Sequence, residues 1–205
     1  MSKVLTILLV FSCSMLLAQQ AEFSYMGVNN CKMCHKKAEK GSQFGIWSER
    51  NHARAFETLK GEEALKMAKE QGLETAPHEA GECLVCHTTG WGKAGGYEVL
   101  SADFIADPEN ARAVKKNDSK ASVGCESCHG PGSGYKSKKT MEGIFSGVID
   151  PATVGLIAPD KNVCITCHNE KSPNFKKFDF DAMAAKIAHP YPEEFKATKG
   201  TPGGK

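Results

Sequence analysis

The sequence predicts a mostly α fold, built of short helices and loops with little β and no separable second domain. Three observations predict it. The chain has 205 residues and 40% apolar content but only 8% aromatic content, so aromatic rings cannot supply much of its core. Lys plus Arg at 26 nearly balances Asp plus Glu at 24, which excludes a strongly basic nucleic-acid binder and an acidic disordered chain. Most informative, eight of the nine cysteines fall in four identical settings: Cys31-Lys-Met-Cys34-His35, Cys83-Leu-Val-Cys86-His87, Cys125-Glu-Ser-Cys128-His129 and Cys164-Ile-Thr-Cys167-His168.

Each setting is C-x-x-C-H, the attachment signature of c-type haem. Thiols at i and i+3 lie on one side of a helical turn and can form thioethers with the two haem vinyls. The next histidine stands over the ring as the proximal iron ligand. Zinc or iron–sulfur sites built from CxxC pairs do not require a histidine after every second cysteine. Disulfides within CxxC would not explain the histidines either. Four covalently bound haem c groups follow, with their iron. Those large apolar plates are expected to form most of the core, wrapped by the short helices and loops.

Residues 1–18 read as a secretory signal: Met-Ser-Lys, the apolar run Val4–Phe11, and a small residue at Ala18. Val10-Phe11-Ser12 is a poor lipobox before Cys13, so lipid anchoring there is disfavoured. No later run is apolar enough for a transmembrane helix. The protein is expected to be exported, to a periplasm, with one haem-binding domain over residues 19–197.

A helix is predicted over Ser42–Leu59, with His52, Phe56 and Leu59 on one apolar face. Glu62–Gln71 is a second helix, acidic at its start and followed by Gly72. His78 follows Pro77 in a loop, five residues before Cys83. Thr88–Gly96 holds four glycines and is a loop, and Tyr97–Leu100 is a short strand. Pro108–Lys116 is a helix with Asp107 as N-cap. Lys136, Lys138 and Lys139 form a small basic patch that could steer an acidic partner. The last helix carries Phe180, Met183, Ala184 and Ile187 on one face, with Asp179 or Asp181 as its cap. It stops at His189-Pro190. The tail Thr198–Lys205 is expected to be disordered.

Of seven histidines, His35, His87, His129 and His168 belong to the motifs. His52, His78 and His189 remain for the distal positions of four irons, so one iron is left without a histidine. Met26, Met33, Met67, Met141 and Met183 are further thioether candidates, none singled out.

Taken in order, the motifs resemble the tetrahaem cytochrome c-554 family. The resemblance runs through Cys31–His35 with Trp47 and Asn51-His52-Ala53-Arg54-Ala55, then Cys83–His87 with Gly95-Gly96-Tyr97. It continues through Val123-Gly124-Cys125 to His129-Gly130-Pro131-Gly132 and Phe178–His189. It implies a mostly helical fold with closely stacked haems serving periplasmic electron transfer. It also implies that His52 caps the haem of His129 and His189 the haem of His168, while the haem of His87 stays five-coordinate. One departure stands out. The family's founding type caps its first haem with a histidine soon after the third motif, where this chain reads Ser133-Gly-Tyr-Lys-Ser-Lys-Lys-Thr140. His78 takes that place on the haem of His35, caps the haem of His87, or is a solvated loop residue.

The leading functional reading is an electron carrier working between other redox proteins, with no enzymatic constellation beyond the haem ligands. The alternative is a reductase of a small nitrogen oxide such as nitric oxide, with the gaseous ligand at the one open haem.

Overall fold

The computed structural model describes residues 23–199. The signal segment expected at residues 1–18, Cys13 with it, and residues 200–205 of the expected tail lie outside the described residues. Among the described residues the chain forms twelve short α-helices, joined by five 3-10 turns and by loops, with no strand. The longest helix, Glu62–Glu70, has nine residues. Helices so short gain little from their own hydrogen bonds and depend on caps and tertiary contacts. Aspartates supply several caps. Asp107 accepts from the Glu109 N–H at 2.9 Å, Asp160 from Val163 at 3.1 Å and Asp179 from Ala182 at 3.1 Å.

Three expected elements differ in detail. The helix over Ser42–Leu59 is broken into Gln43–Ser48, a 3-10 turn Asn51–Arg54, and Ala55–Thr58. The break falls at Arg50, which is extended at φ −98°, ψ 162°. Trp47 Nε1 donates to the Val123 carbonyl at 2.9 Å, and the Val123 N–H donates to the His52 carbonyl at 3.1 Å. These bonds tie the turn carrying His52 to the segment just before the third motif, in place of continued helix bonds.

The strand expected at Tyr97–Leu100 does not form. Asn117 takes the place of a ladder partner: its Oδ1 accepts from the Glu98 N–H at 3.0 Å and its Nδ2 donates to the Glu98 carbonyl at 2.8 Å. The helix expected over Pro108–Lys116 begins as a 3-10 turn, Pro108–Asn110, and continues as Ala111–Asp118. At the C-terminal end, the helix Glu193–Lys199 carries order into the first residues of the segment expected to be disordered.

The core that protein atoms alone provide is small. Phe56, Leu59, Leu84 and Tyr97 form a buried cluster, with Cys83, Trp91 and Ala121 packed against it. Much of the remaining buried interior is polar and knit to backbone. Thr89 Oγ1 donates to the Ser122 carbonyl at 2.7 Å and accepts from the Gly124 N–H at 2.9 Å. Lys120, only 5% exposed, donates from Nζ to the Gly95 and Gly96 carbonyls at 2.9 and 2.5 Å. The loop Thr88–Gly96 is thereby held against the segment that leads into the third motif. Gly96 is required there, because a Cβ would sit 1.7 Å from the Gly90 carbonyl oxygen.

Candidate functional site

The CxxCH motifs sit on or at the end of short helices: Val28–His35, Gly81–His87, Cys125–His129 and Lys161–Ile165. In the fourth, Cys167 and His168 continue the turn past the helix end, and the His168 N–H donates to the Cys164 carbonyl at 3.0 Å. All four motifs therefore present their two thiols one helical turn apart, as thioether attachment to a planar group requires. The eight cysteines are free and partly buried. Among the described residues no group of three or more His, Cys, Asp or Glu side chains could by itself hold a metal ion. The thiols are thus arrayed in pairs, without the tetrahedral clustering a structural zinc needs.

The tertiary structure brings the motifs together out of sequence order. Cys31 hydrogen-bonds with Cys125, joining the first motif to the third. Cys128 lies within electrostatic reach of Cys164 and Cys167, joining the third to the fourth. Cys86 hydrogen-bonds with Cys167, joining the fourth to the second. Burial, with these neighbouring thiols, pushes the Cys128 thiol up to about 11.

The motif histidines are oriented by their second nitrogen. His87 Nδ1 donates to the Ala55 carbonyl at 2.6 Å, and His129 Nδ1 to the Ile157 carbonyl at 3.3 Å. His35 Nδ1 faces Gln43 Oε1 at 3.3 Å; the Gln43 amide is itself fixed by donating to the Lys40 carbonyl. A ring that donates from Nδ1 keeps the Nε2 lone pair free for iron, the arrangement typical of metal-ligating histidines. His168 is positioned differently, stacked on Phe178 at 4.8 Å and 11°. Burial lowers the pKa of His35, His52 and His129, and neighbouring imidazoles add to the effect. The neutral ring is the form that ligates metal.

A cavity of about 250 Å³ opens between the first and third motifs. Cys31, His35, Cys125 and His129 line it together with His52, His189 and the apolar side chains of Trp47, Leu156 and Ile187. Thiols, imidazoles and apolar walls on one cavity are the donor set a covalently held haem takes. The residues fit that group.

The distal candidates take distinct places. His52 lies beside His168, ring centroids 6.0 Å apart, and His189 beside His129 at 5.9 Å. These contacts run opposite to the pairing the family resemblance implied, which joined His52 to His129 and His189 to His168. His189 also lies within electrostatic reach of His35. His78 is in a turn beside the fully buried Pro77, and its Nδ1 is buried with no hydrogen-bond partner. A buried polar nitrogen left without a partner calls for a group beyond the protein's own atoms. Of the methionines, Met141 lines the cavity, whereas Met33 is 70% exposed. Lys136, Lys138 and Lys139 are exposed, as a steering patch requires. Sequence reasoning singled out neither Gln43 nor Glu126, whose roles depend on partners distant in the chain or on a turn it did not predict.

The solved structure of reduced cytochrome c554 from Nitrosomonas europaea superposes with a TM-score of 0.52 at 26% identity, covering 88% of this chain and 86% of that one. The family described as cytochrome c554 and c-prime matches residues 30–130, through the first three motifs. The chain is similar to the cytochrome c-554 family. Cytochrome c-554 of Nitrosomonas europaea is 29% identical over 125 residues, 60% of this chain but 45% of that protein, so the sequence match spans less than half of the relative's length. The likeness places this chain among the c-type cytochromes, a class with covalently bound haem c. The mostly helical architecture, without a strand among the described residues, is that of the cytochrome c-554 fold. Among the described residues no helix is long and apolar enough to cross a membrane.

Proposed function

We propose that this chain is an exported, periplasmic tetrahaem cytochrome that passes electrons between redox proteins. The observation that carries this reading is the continuity of the four motifs, whose thiols come within interaction reach of one another in the order first, third, fourth, second. Attachment sites so close together keep each interval for an electron short, and the rate of electron transfer falls steeply with distance. Haem c, when bound, supplies one-electron iron chemistry whose potential follows axial ligation, burial and nearby hydrogen bonds.

The chain's own residues do the rest. The eight motif thiols anchor the groups, and His35, His87, His129 and His168 take the proximal positions. The backbone carbonyls of Ala55 and Ile157 and the Gln43 amide hold three of those rings in the ligating tautomer. His52 and His189 serve distal positions in the crowded centre, and His78, with its unpartnered nitrogen, serves a third. Four proximal histidines against three spare ones leave one iron with an open or weakly held sixth position. A small gas would bind there, and reduction of a nitrogen oxide at that iron is the alternative activity.

Low-temperature EPR of the oxidised holoprotein tests the ligand count, with three low-spin signals and one high-spin signal expected. Stopped-flow mixing of the reduced protein with a second c-type cytochrome tests the role. Rapid reoxidation of all four centres is expected, and failure of a protein acceptor to drain them would overturn the carrier reading. Steady gas reduction that depends on the open iron would favour the reductase.

A further inference from the structure

Glu126 lies inside the third motif, directly after Cys125, and is 2% exposed. Its two carboxylate oxygens receive three backbone N–H groups. Met26 donates to Oε1 at 2.9 Å and Oε2 at 3.0 Å, Gly27 to Oε2 at 2.7 Å, and Gly132 to Oε1 at 2.6 Å. Every one of these partners is a donor. A protonated carboxyl would aim its O–H at N–H groups that cannot accept it, so the hydrogen-bond set selects the ionised form. The site has no room to rearrange on this side, since a Cβ at Gly132 would lie 2.7 Å from Oε1.

No ion pair cancels the charge at contact distance, and the buried Lys120 ammonium lies within its field without pairing to it. The ion pairs found among the described residues join other, largely exposed side chains, and none includes Glu126. Backbone N–H groups stabilise the anion but carry no net charge. Its field reaches Cys31 as well as Cys125. With burial, it also raises the phenols of Tyr25 and Tyr135. A fixed negative charge in a poorly polarisable interior favours the more positive oxidation state of a nearby metal.

We propose that Glu126 is a potential-setting residue, a buried carboxylate held ionised by the Met26, Gly27 and Gly132 N–H groups. It lowers the reduction potential of the haem attached at Cys125 and Cys128, and to a smaller degree that of the haem at Cys31. The proposal rests on haem attachment at these motifs. Glu126 acts as a positioning charge; it touches no reacting atom.

The experiment is an EPR-monitored redox titration of holoprotein, resolved by haem, for the wild type, Glu126→Gln and Glu126→Asp. Haem attachment at each motif is first checked by mass spectrometry of proteolytic peptides. Glu126→Gln is expected to shift the ferric-to-ferrous ratio of the His129 haem about tenfold toward ferrous at fixed potential, about 59 mV for one electron. Glu126→Asp keeps the charge and is expected to stay within about threefold of the wild type, even if its melting temperature falls. An unchanged midpoint in haem-complete Glu126→Gln, or an equal shift in Glu126→Asp, would overturn the proposal. A wild type lacking haem at Cys125 and Cys128 would instead bring down the functional reading beneath it. Should Glu126→Gln fail to mature, infrared difference spectra of wild-type protein with ¹³C-labelled glutamate decide the matter. Reduction should perturb ionised carboxylate bands; a protonated carboxyl band from this residue would refute the proposal.

Discussion

The imidazole of His189 lies 5.9 Å from that of His129, ring centre to ring centre, at an interplanar angle of 51°. The two residues are 60 positions apart, and the contact is made because the helix Phe180–Ile187 ends just before His189. His52 meets His168 in the same way, delivered by a 3-10 turn pinned to Val123. His52→Ala and His189→Ala are each expected to turn one low-spin haem high-spin, a different haem in each case, without loss of covalent haem. EPR of the oxidised variants checks this. An unchanged low-spin count in either would reduce that histidine to a packing residue.

The orphaned Nδ1 of His78 leads to a third substitution. If His78 is a ligand, His78→Ala should raise the number of high-spin irons from one to two, and carbon monoxide uptake by the reduced protein should rise with it. A wild type that already shows two high-spin irons, unaffected by the substitution, would assign His78 a purely structural place.

The motif count makes a direct prediction about mass. Denatured mature protein should exceed its polypeptide by about four haem masses, one for each C-x-x-C-H. Replacing Cys125 and Cys128 together by serine should remove one haem mass and disturb the neighbouring first-motif site, because Cys31 contacts Cys125.

Lys120 is a stability residue with a calculable loss. Its Nζ holds the Gly95 and Gly96 carbonyls, and Lys120→Met would leave both oxygens without that donor. A loss of about 3 kcal/mol is expected, since hydrogen bonds from charged donors contribute about 1.5–3 kcal/mol each. Urea unfolding of the holoprotein measures it, and a change below about 1 kcal/mol would mean the loop re-forms its bonds with water.

Alkaline pH should weaken the fold through Tyr135. Burial, and then the Glu126 charge, raise its phenol well above the ordinary value, and its hydroxyl donates to the Gly130 carbonyl at 2.5 Å. A folded-state pKa above the unfolded one gives stability that is complete below about pH 10 and lost as pH climbs beyond it. Tyr135→Phe should reduce stability by about 1 kcal/mol at neutral pH yet flatten the alkaline decline. Urea midpoints from pH 8 upward test the sign; an equally steep decline in the variant would exclude Tyr135 as its source.

The sequence by itself determined the chemistry and most of the local structure. Cys-x-x-Cys-His is a contiguous signal, because one helical turn suffices to present two thiols and a ring to the same group. Caps such as Asp107 and Asp179 were legible for the same reason, since each acts within three residues. The tertiary structure decided which motifs touch, which imidazoles meet and where charge is buried. Cys31 reaches Cys125, His52 reaches His168, and Glu126 binds the Met26 and Gly27 N–H groups across about a hundred residues. No periodicity records such pairings. They also explain the two local readings that failed: Trp47 and His52 bind Val123 where a helix was expected to continue, and Asn117 pairs with Glu98 where a strand was expected. With so small an apolar core, backbone groups satisfied by distant partners outweigh local propensity, and such bonds exist only once the chain has closed on itself.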